Sequence, residues 1–285
     1  MTLEDSVGRL KPRTEKVLSA DERAFFAEHG WLVLRGFVSG EHATKLSRAV
    51  DGLYPPSSYP GGCGSAVEGR DDVWELASAS SVEPLLREQW GDARVAQAAA
   101  EALGCSAVQL LQDTLLVKPP HTGAAVPWHQ DHRYTGYLEP ARLVTARLAL
   151  TKCTLASGCL HVLDGSHAWG LQGDVKALTA RKIDDALALL PRPLAGRVSA
   201  ATRVIELSPG DVSLHHCLTF HCSPRNQSAQ ARKTAVARFF DASCTLRHER
   251  LPLGAEAHFP TADGKRLSPA AFPVLYRSGS RHGDP

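Results

Sequence analysis

The single feature that most limits what this chain can fold into is a change of period near residue 105. From Ser19 to Leu103 apolar residues recur mostly at helical spacing, broken by one short run, Trp31-Leu32-Val33-Leu34, that reads as a buried strand. From Ala107 onward they recur in strand-like runs separated by Pro, Gly, Ser and Asn. Helices in front and strands behind fit a mainly β domain with a helical flank, in which a sheet is closed on itself or doubled.

The helical part is delimited by its caps. Ser19 followed by Glu22 predicts a capping box, and Gly30 ends that helix. A second helix is expected from about Glu41 to Leu53, and two more over 81–90 and 93–103, with Asp92 capping the last and Gly104 ending it. Between them, Tyr54 to Arg70 is rich in Pro and Gly and long enough for a lid. Strands are expected at Ala107 to Lys118, where Pro119-Pro120 stops the run, and then at 143–151, 160–163, 203–207, 212–221 and 234–241. Residues 173–198 return to a helical pattern and read as an insertion. One domain over 1–285 is expected, with 1–18 as a mobile leader and 252–285 as a tail that wraps the surface or is partly disordered.

Composition removes several classes of function. The net charge is +2 and the arginines are scattered, so no footprint for nucleic acid or an anionic membrane is present. No run approaches the roughly 18 apolar residues of a spanning helix, and the polar start lacks a signal-peptide core. Seven cysteines without a C-x-x-C pair suggest reduced thiols rather than a disulfide framework or structural zinc. The expectation is a cytoplasmic protein, monomeric or a weak homodimer, acting on a small molecule.

The chemistry gathers at Pro127-Trp128-His129-Gln130-Asp131-His132. If this stretch is extended, His129 and Asp131 share one face, two thirds of the two-histidine, one-carboxylate site that leaves positions open on non-haem iron. The third ligand lies among His215, His216 and His221. A continuous strand puts His215 and His221 on one face and His216 on the other, which leaves two.

Longer motifs narrow the choice. His129-Gln130-Asp131, then His221-Cys222-Ser223-Pro224-Arg225-Asn226-Gln227-Ser228, then Arg232 eleven residues after His221 stand in order, along with Lys118-Pro119-Pro120 and Ser157 to His167. In these the chain resembles the phytanoyl-CoA dioxygenase family of Fe(II)- and 2-oxoglutarate-dependent oxygenases. The resemblance implies a double-stranded β-helix, or jelly-roll, core. It implies Fe(II) on His129, Asp131 and His221, since neither His215 nor His216 has an arginine at the same offset. It also implies O2 and 2-oxoglutarate as cosubstrates, Arg232 on the distal carboxylate of 2-oxoglutarate and Thr114 beside it. Ser223, two residues past the ligand, is a further contact expected at the cosubstrate, and Gln112, on the face of Thr114, is expected to reach cosubstrate or substrate.

The reaction so implied is oxidation of an unactivated C–H bond, most simply hydroxylation, coupled to conversion of 2-oxoglutarate to succinate and CO2. Asp131 sets the chain apart from the family's halogenases, which carry a small residue there. Substrate contacts are sought near the motif, at Arg133, Tyr134 and Tyr137, and at Trp74 beside the predicted lid. Arg147 stands where many members carry tryptophan, and an inward arginine needs an anionic partner or water. Two other readings are a non-catalytic metal-binding jelly roll and an oxygenase acting on an acyl-CoA or carrier-bound substrate.

Overall fold

The computed structural model describes residues 16–53, 73–121, 125–172, 190 and 192–279. In chain order the elements are α1 (Ala20–His29), β1 (Trp31–Leu34), α2 (Gly40–Leu53), β2 (Trp74–Ala77), α3 (Pro84–Gly91), α4 (Ala93–Leu103), β3 (Ala107–Lys118) and β4 (Val126–His129). A short α5 (His132–Thr135), β5 (Leu138–Glu139), β6 (Leu143–Ala149) and β7 (Leu160–Leu163) follow. Then come α6 (Arg192–Ala195), α7 (Val198–Ala201), β8 (Thr202–Ile205), β9 (Val212–His216), β10 (His221–Ser223), β11 (Arg232–Asp241), β12 (Thr245–Leu246) and β13 (Val274–Arg277).

The strands form two main sheets, antiparallel throughout. The larger has the order β1-β9-β6-β11-β3-β13, with β2 also on β3; the smaller runs β4-β10-β7-β8, and β12 pairs with β5. This arrangement is the double-stranded β-helix that the sequence motifs imply.

Period two divides the large sheet into unlike faces. Leu115 and Val117 of β3, Ala146 and Leu148 of β6, Val212 and Leu214 of β9, and Ala237 and Phe239 of β11 point outward into the largest apolar cluster. There they meet Leu46 and Val50 of α2, Trp90 of α3 and the alanines of α4. Those alanines are small enough for the helix to lie close on the sheet, and Asp92 caps it by accepting from the Arg94 N–H. The alternate residues face the small sheet: Thr145 and Arg147, Ser213 and His215, Thr234 and Arg238, Gln112 and Thr114. One face carries stability and the other carries polar chemistry.

Several expectations change here. The leader is docked by residue 17, because Glu101 accepts from the Val17 and Leu18 N–H groups and Leu18 is buried. The tail does not merely wrap the surface: β13 adds a strand to the edge of β3, and Leu267, Phe272 and Leu275 are buried. The histidine-rich stretch 212–221 is two strands, not one. It leaves the large sheet after His216, turns through Cys217 to Phe220 and enters the small sheet at His221. Gly30 makes that turn possible, since a Cβ there would lie 2.4 Å from His167 Nδ1 and 2.7 Å from Thr219 Oγ1. The lid of residues 54–70 and the insertion up to residue 189 fall outside the described residues; the described end of the insertion is helical, in α6 and α7.

Candidate active site

The histidine pair is built by the small sheet. His129 ends β4 and pairs in register with His221, the first residue of β10, bringing their ring centroids to 4.1 Å. Each ring sets its Nδ1 against a carbonyl two residues back, His129 on Pro127 at 2.8 Å and His221 on Thr219 at 2.9 Å. With Nδ1–H donating there, the Nε2 lone pair of each points to a common centre. Asp131 reaches that centre from outside the strand. It has helical dihedrals at the start of α5, so a strand-to-helix turn, not a shared strand face, brings it to His129. Its Oδ1 lies 3.6 Å from both Nε2 atoms, and one ligand atom from each of the three residues fits within 4.8 Å of the others. Among the described residues no other group of three such side chains meets this test.

The large sheet holds the other oxygen of Asp131. The Thr145 hydroxyl donates to Oδ2 at 2.5 Å, His215 Nε2 is 3.4 Å away and Arg238 Nε is 3.8 Å away. Burial opposes the charge of Asp131, but Arg238, His221, His129 and His215 outweigh it and hold the carboxyl well below the ordinary carboxylate range. Burial, followed by the neighbouring His129 and His215, pushes the His221 imidazole well below its ordinary value. The trio therefore rests as one carboxylate with neutral imidazole at His221, the protonation state a divalent metal takes.

Arg232 opens β11, only 2% exposed, and donates to Ser223 Oγ at 2.9 Å and to the Gly158 carbonyl. Its register partner Lys118, which the sequence leaves either solvated or near the mouth with an anionic group, is fully buried and donates to the Ser223 carbonyl at 2.8 Å. On the rows that run from Arg232 towards the metal trio, the buried Thr114 Oγ1, Ser213 Oγ, Thr234 Oγ1 and Arg232 Nε have no hydrogen-bonding partner among the described residues. Buried polar groups are normally satisfied, so a row of orphans ending at a guanidinium marks the seat of a polar, anionic guest. Iron fits the trio by donor type, and a dicarboxylate fits the row.

The remaining expected residues are spread unevenly. Gln112 is exposed and opposite Arg238; Thr114 is buried opposite Val236, one row deeper. Arg147, half-buried, shares the row of Thr114 and has no hydrogen-bonding partner among the described residues; burial and then Arg232 pull its pKa down to about 10, so it stays charged at neutral pH. Tyr134 is exposed with its ring 6.1 Å from that of His129, and Arg133 donates to the Gln172 carbonyl at 2.8 Å. Two expected substrate contacts are displaced. Trp74 belongs to β2, in register with Val117, and is buried in the outward apolar cluster under the helices. Tyr137 is buried in a second apolar cluster, against Phe259. Thr145, Ser213 and Thr234 were missed; their signal is the polar alternation within apolar strands.

Comparison with known proteins bears on this geometry. The family model described as phytanoyl-CoA dioxygenase (PhyH) matches residues 26–234. The chain belongs to the phytanoyl-CoA dioxygenase family. It is thereby an enzyme of the non-haem iron, 2-oxoglutarate-dependent dioxygenase class, with iron and 2-oxoglutarate as cofactor and cosubstrate. Among curated relatives, bovine phytanoyl-CoA dioxygenase domain-containing protein 1 is 23% identical, covering 80% of this chain and 92% of its own. Among solved structures, the carbocyclase SnoK from nogalamycin biosynthesis aligns with a TM-score of 0.72 at 22% identity, over 91% of this chain and 98% of its own. EctD from S. alaskensis, solved with 2-oxoglutarate and 5-hydroxyectoine, aligns at 0.71 and 23% identity, over 95% and 93%. These two likenesses establish the fold. No described helix is long and apolar enough to cross a membrane.

Proposed function

We propose that this family member oxidises an unactivated C–H bond of a small molecule, most simply by hydroxylation, within cytoplasmic secondary metabolism. The observation that carries the reading is how the two sheets face each other: the metal trio on the small sheet and α5, and opposite it on the large sheet a run of orphaned hydroxyls leading to Arg232. When bound, iron and 2-oxoglutarate would activate O2, the oxidant: one oxygen atom goes to 2-oxoglutarate as it loses CO2 to become succinate, and the other is left for the C–H bond.

The residues supply place and order. His129 and His221 present Nε2, and Asp131 presents Oδ1 while Thr145 occupies Oδ2, which favours binding through a single oxygen. Arg232, steadied by Ser223 and Gly158, takes the distal carboxylate of 2-oxoglutarate through a planar fork. Thr114, Ser213 and Thr234 donate hydroxyls along its length, and Arg147 flanks the same path. Gln112, Arg133 and Tyr134 lie towards the substrate. Enclosure between two sheets limits water around the reacting bond.

Family membership sets aside a non-catalytic metal-binding jelly roll, for which a buried arginine at the end of an orphaned row would also have no use. The test is anaerobic addition of Fe(II) and 2-oxoglutarate. A weak visible charge-transfer band is expected in the wild type and its loss in His129→Ala or His221→Ala; an undiminished band in either variant would refute the ligand assignment.

A further inference from the structure

Three guanidinium groups line the inward face of the large sheet, at Arg232, Arg147 and Arg238, and the carboxylate that meets this face among the described residues is Asp131, from the start of α5. An iron(II) ion adds two positive charges and 2-oxoglutarate removes two. The filled site described above thus keeps an excess of positive charge, and charge left unpaired in a half-buried cavity is costly.

Arg238 is where that excess meets the opening. Arg232 and Arg238 are six residues apart on β11, about 20 Å along the strand, so a five-carbon diacid anchored on Arg232 and reaching the iron lies over Thr234 and Val236. Arg238 falls on the far flank of the metal trio. Its side chain is 25% exposed, and it stands opposite Gln112, which is exposed, and Thr145. Its described ion contact uses Nε alone, 3.8 Å from Asp131 Oδ2, which leaves both terminal nitrogens for a ligand. A guanidinium with two parallel free N–H groups matches a carboxylate in the bidentate mode.

We propose that Arg238, with Gln112 beside it, receives a carboxylate of the primary substrate, and that the C–H bond oxidised lies within a few bonds of that carboxylate. The second half follows from proximity: a group held by Arg238 is next to Asp131, hence next to the metal centre. This inference rests on the iron and 2-oxoglutarate reading and names the substrate class for it.

The test uses full-length Fe(II)-loaded protein and the low-mass extract of its source organism, separated on an anion exchanger and assayed for succinate formed above the substrate-free rate. The retained, anionic fraction is expected to stimulate at least tenfold, methyl esterification of that fraction to abolish the effect, and the product to carry its new oxygen close to a carboxylate. Arg238→Gln should raise the amount of fraction needed for half-maximal rate at least tenfold while moving the KM for 2-oxoglutarate less than threefold, with Arg238→Lys intermediate; Arg232→Gln should show the reverse split. Stimulation by the unretained fraction, survival of esterification, loss to phosphatase instead, absence of stimulation by the retained fraction, or an equal loss of 2-oxoglutarate binding in Arg238→Gln would each overturn it. A wild type with no charge-transfer band would overturn the parent reading as well, whereas a band together with neutral activators overturns this inference alone.

Discussion

Arg232 shows how one residue's chemistry depends on its seat. Arg232→Lys keeps the charge but loses the fork, so the KM for 2-oxoglutarate should rise at least tenfold, about 1.4 kcal/mol of binding. Steady-state kinetics of 2-oxoglutarate consumption checks this, and an unchanged KM would remove Arg232 from the cosubstrate. Gly158 supports the same seat from below. Its φ is +70°, and a Cβ there would lie 2.2 Å from the Pro224 carbonyl oxygen, while its own carbonyl accepts from Arg232 and Ser223. Gly158→Ala should cost about 1–3 kcal/mol in unfolding free energy and raise the same KM, because the backbone must move where Arg232 is held. At this scale spacing alone left His215 and His221 both open, and the family resemblance supplied His221 and Arg232. Thr145, Ser213 and Thr234 were not legible, because polar alternation puts each on one face of its strand but does not say whether that face meets solvent, core or a site.

At the level of elements, turns decided what periodicity could not. Alternation within 212–221 put His215 and His221 on one face, but the chain changes sheets at Cys217–Phe220, so the two histidines meet around Asp131 from different sheets. The reading placed His129 and Asp131 together for the wrong reason as well, since a strand ends between them. Asp211 illustrates a turn that carries its own load, accepting from the Gly36 N–H at 2.8 Å, the Ser208 N–H at 2.9 Å and Arg35 at 2.8 Å just before β9. Burial alone would raise its pKa, but these donors prevail and lower it. Its stabilising contribution is therefore present above the unfolded-state value of ~3.9 and fades as pH falls through the lower folded value. Asp211→Asn should lose about 1–3 kcal/mol at pH 7, with the gap to wild type narrowing in acid when urea unfolding is repeated at decreasing pH. A gap that widened in acid would contradict the assignment.

For the molecule as a whole, the tail is the expectation that changed most. Pro, Gly and Arg made 252–285 look peripheral, yet three apolar side chains and β13 were enough to make it part of the large sheet. Ending the chain at Arg266 would uncover the β3 edge and remove the buried Leu267, Phe272 and Leu275 from the core, a loss of about 4.5–9 kcal/mol at 1.5–3 kcal/mol for each side chain. Failure of that truncation to fold cooperatively, read by calorimetry, is the expected outcome, and a fully stable product would show the tail to be dispensable. The fold class itself was open to sequence reading because helices and strands are segregated along the chain.

The two-faced large sheet separates durability from selectivity. Leu148, pointing to the helices, and Gln112, pointing to the open end, lie on strands separated by β11 and share no partner. Leu148→Ala should cost about 2–5 kcal/mol, and combining it with Gln112→Ala should give a total within ~0.5 kcal/mol of the separate effects. Such independence lets a lineage gather thermal reserve under the helices and then spend it on new rows of pocket residues, each change judged on its own side of one layer of backbone.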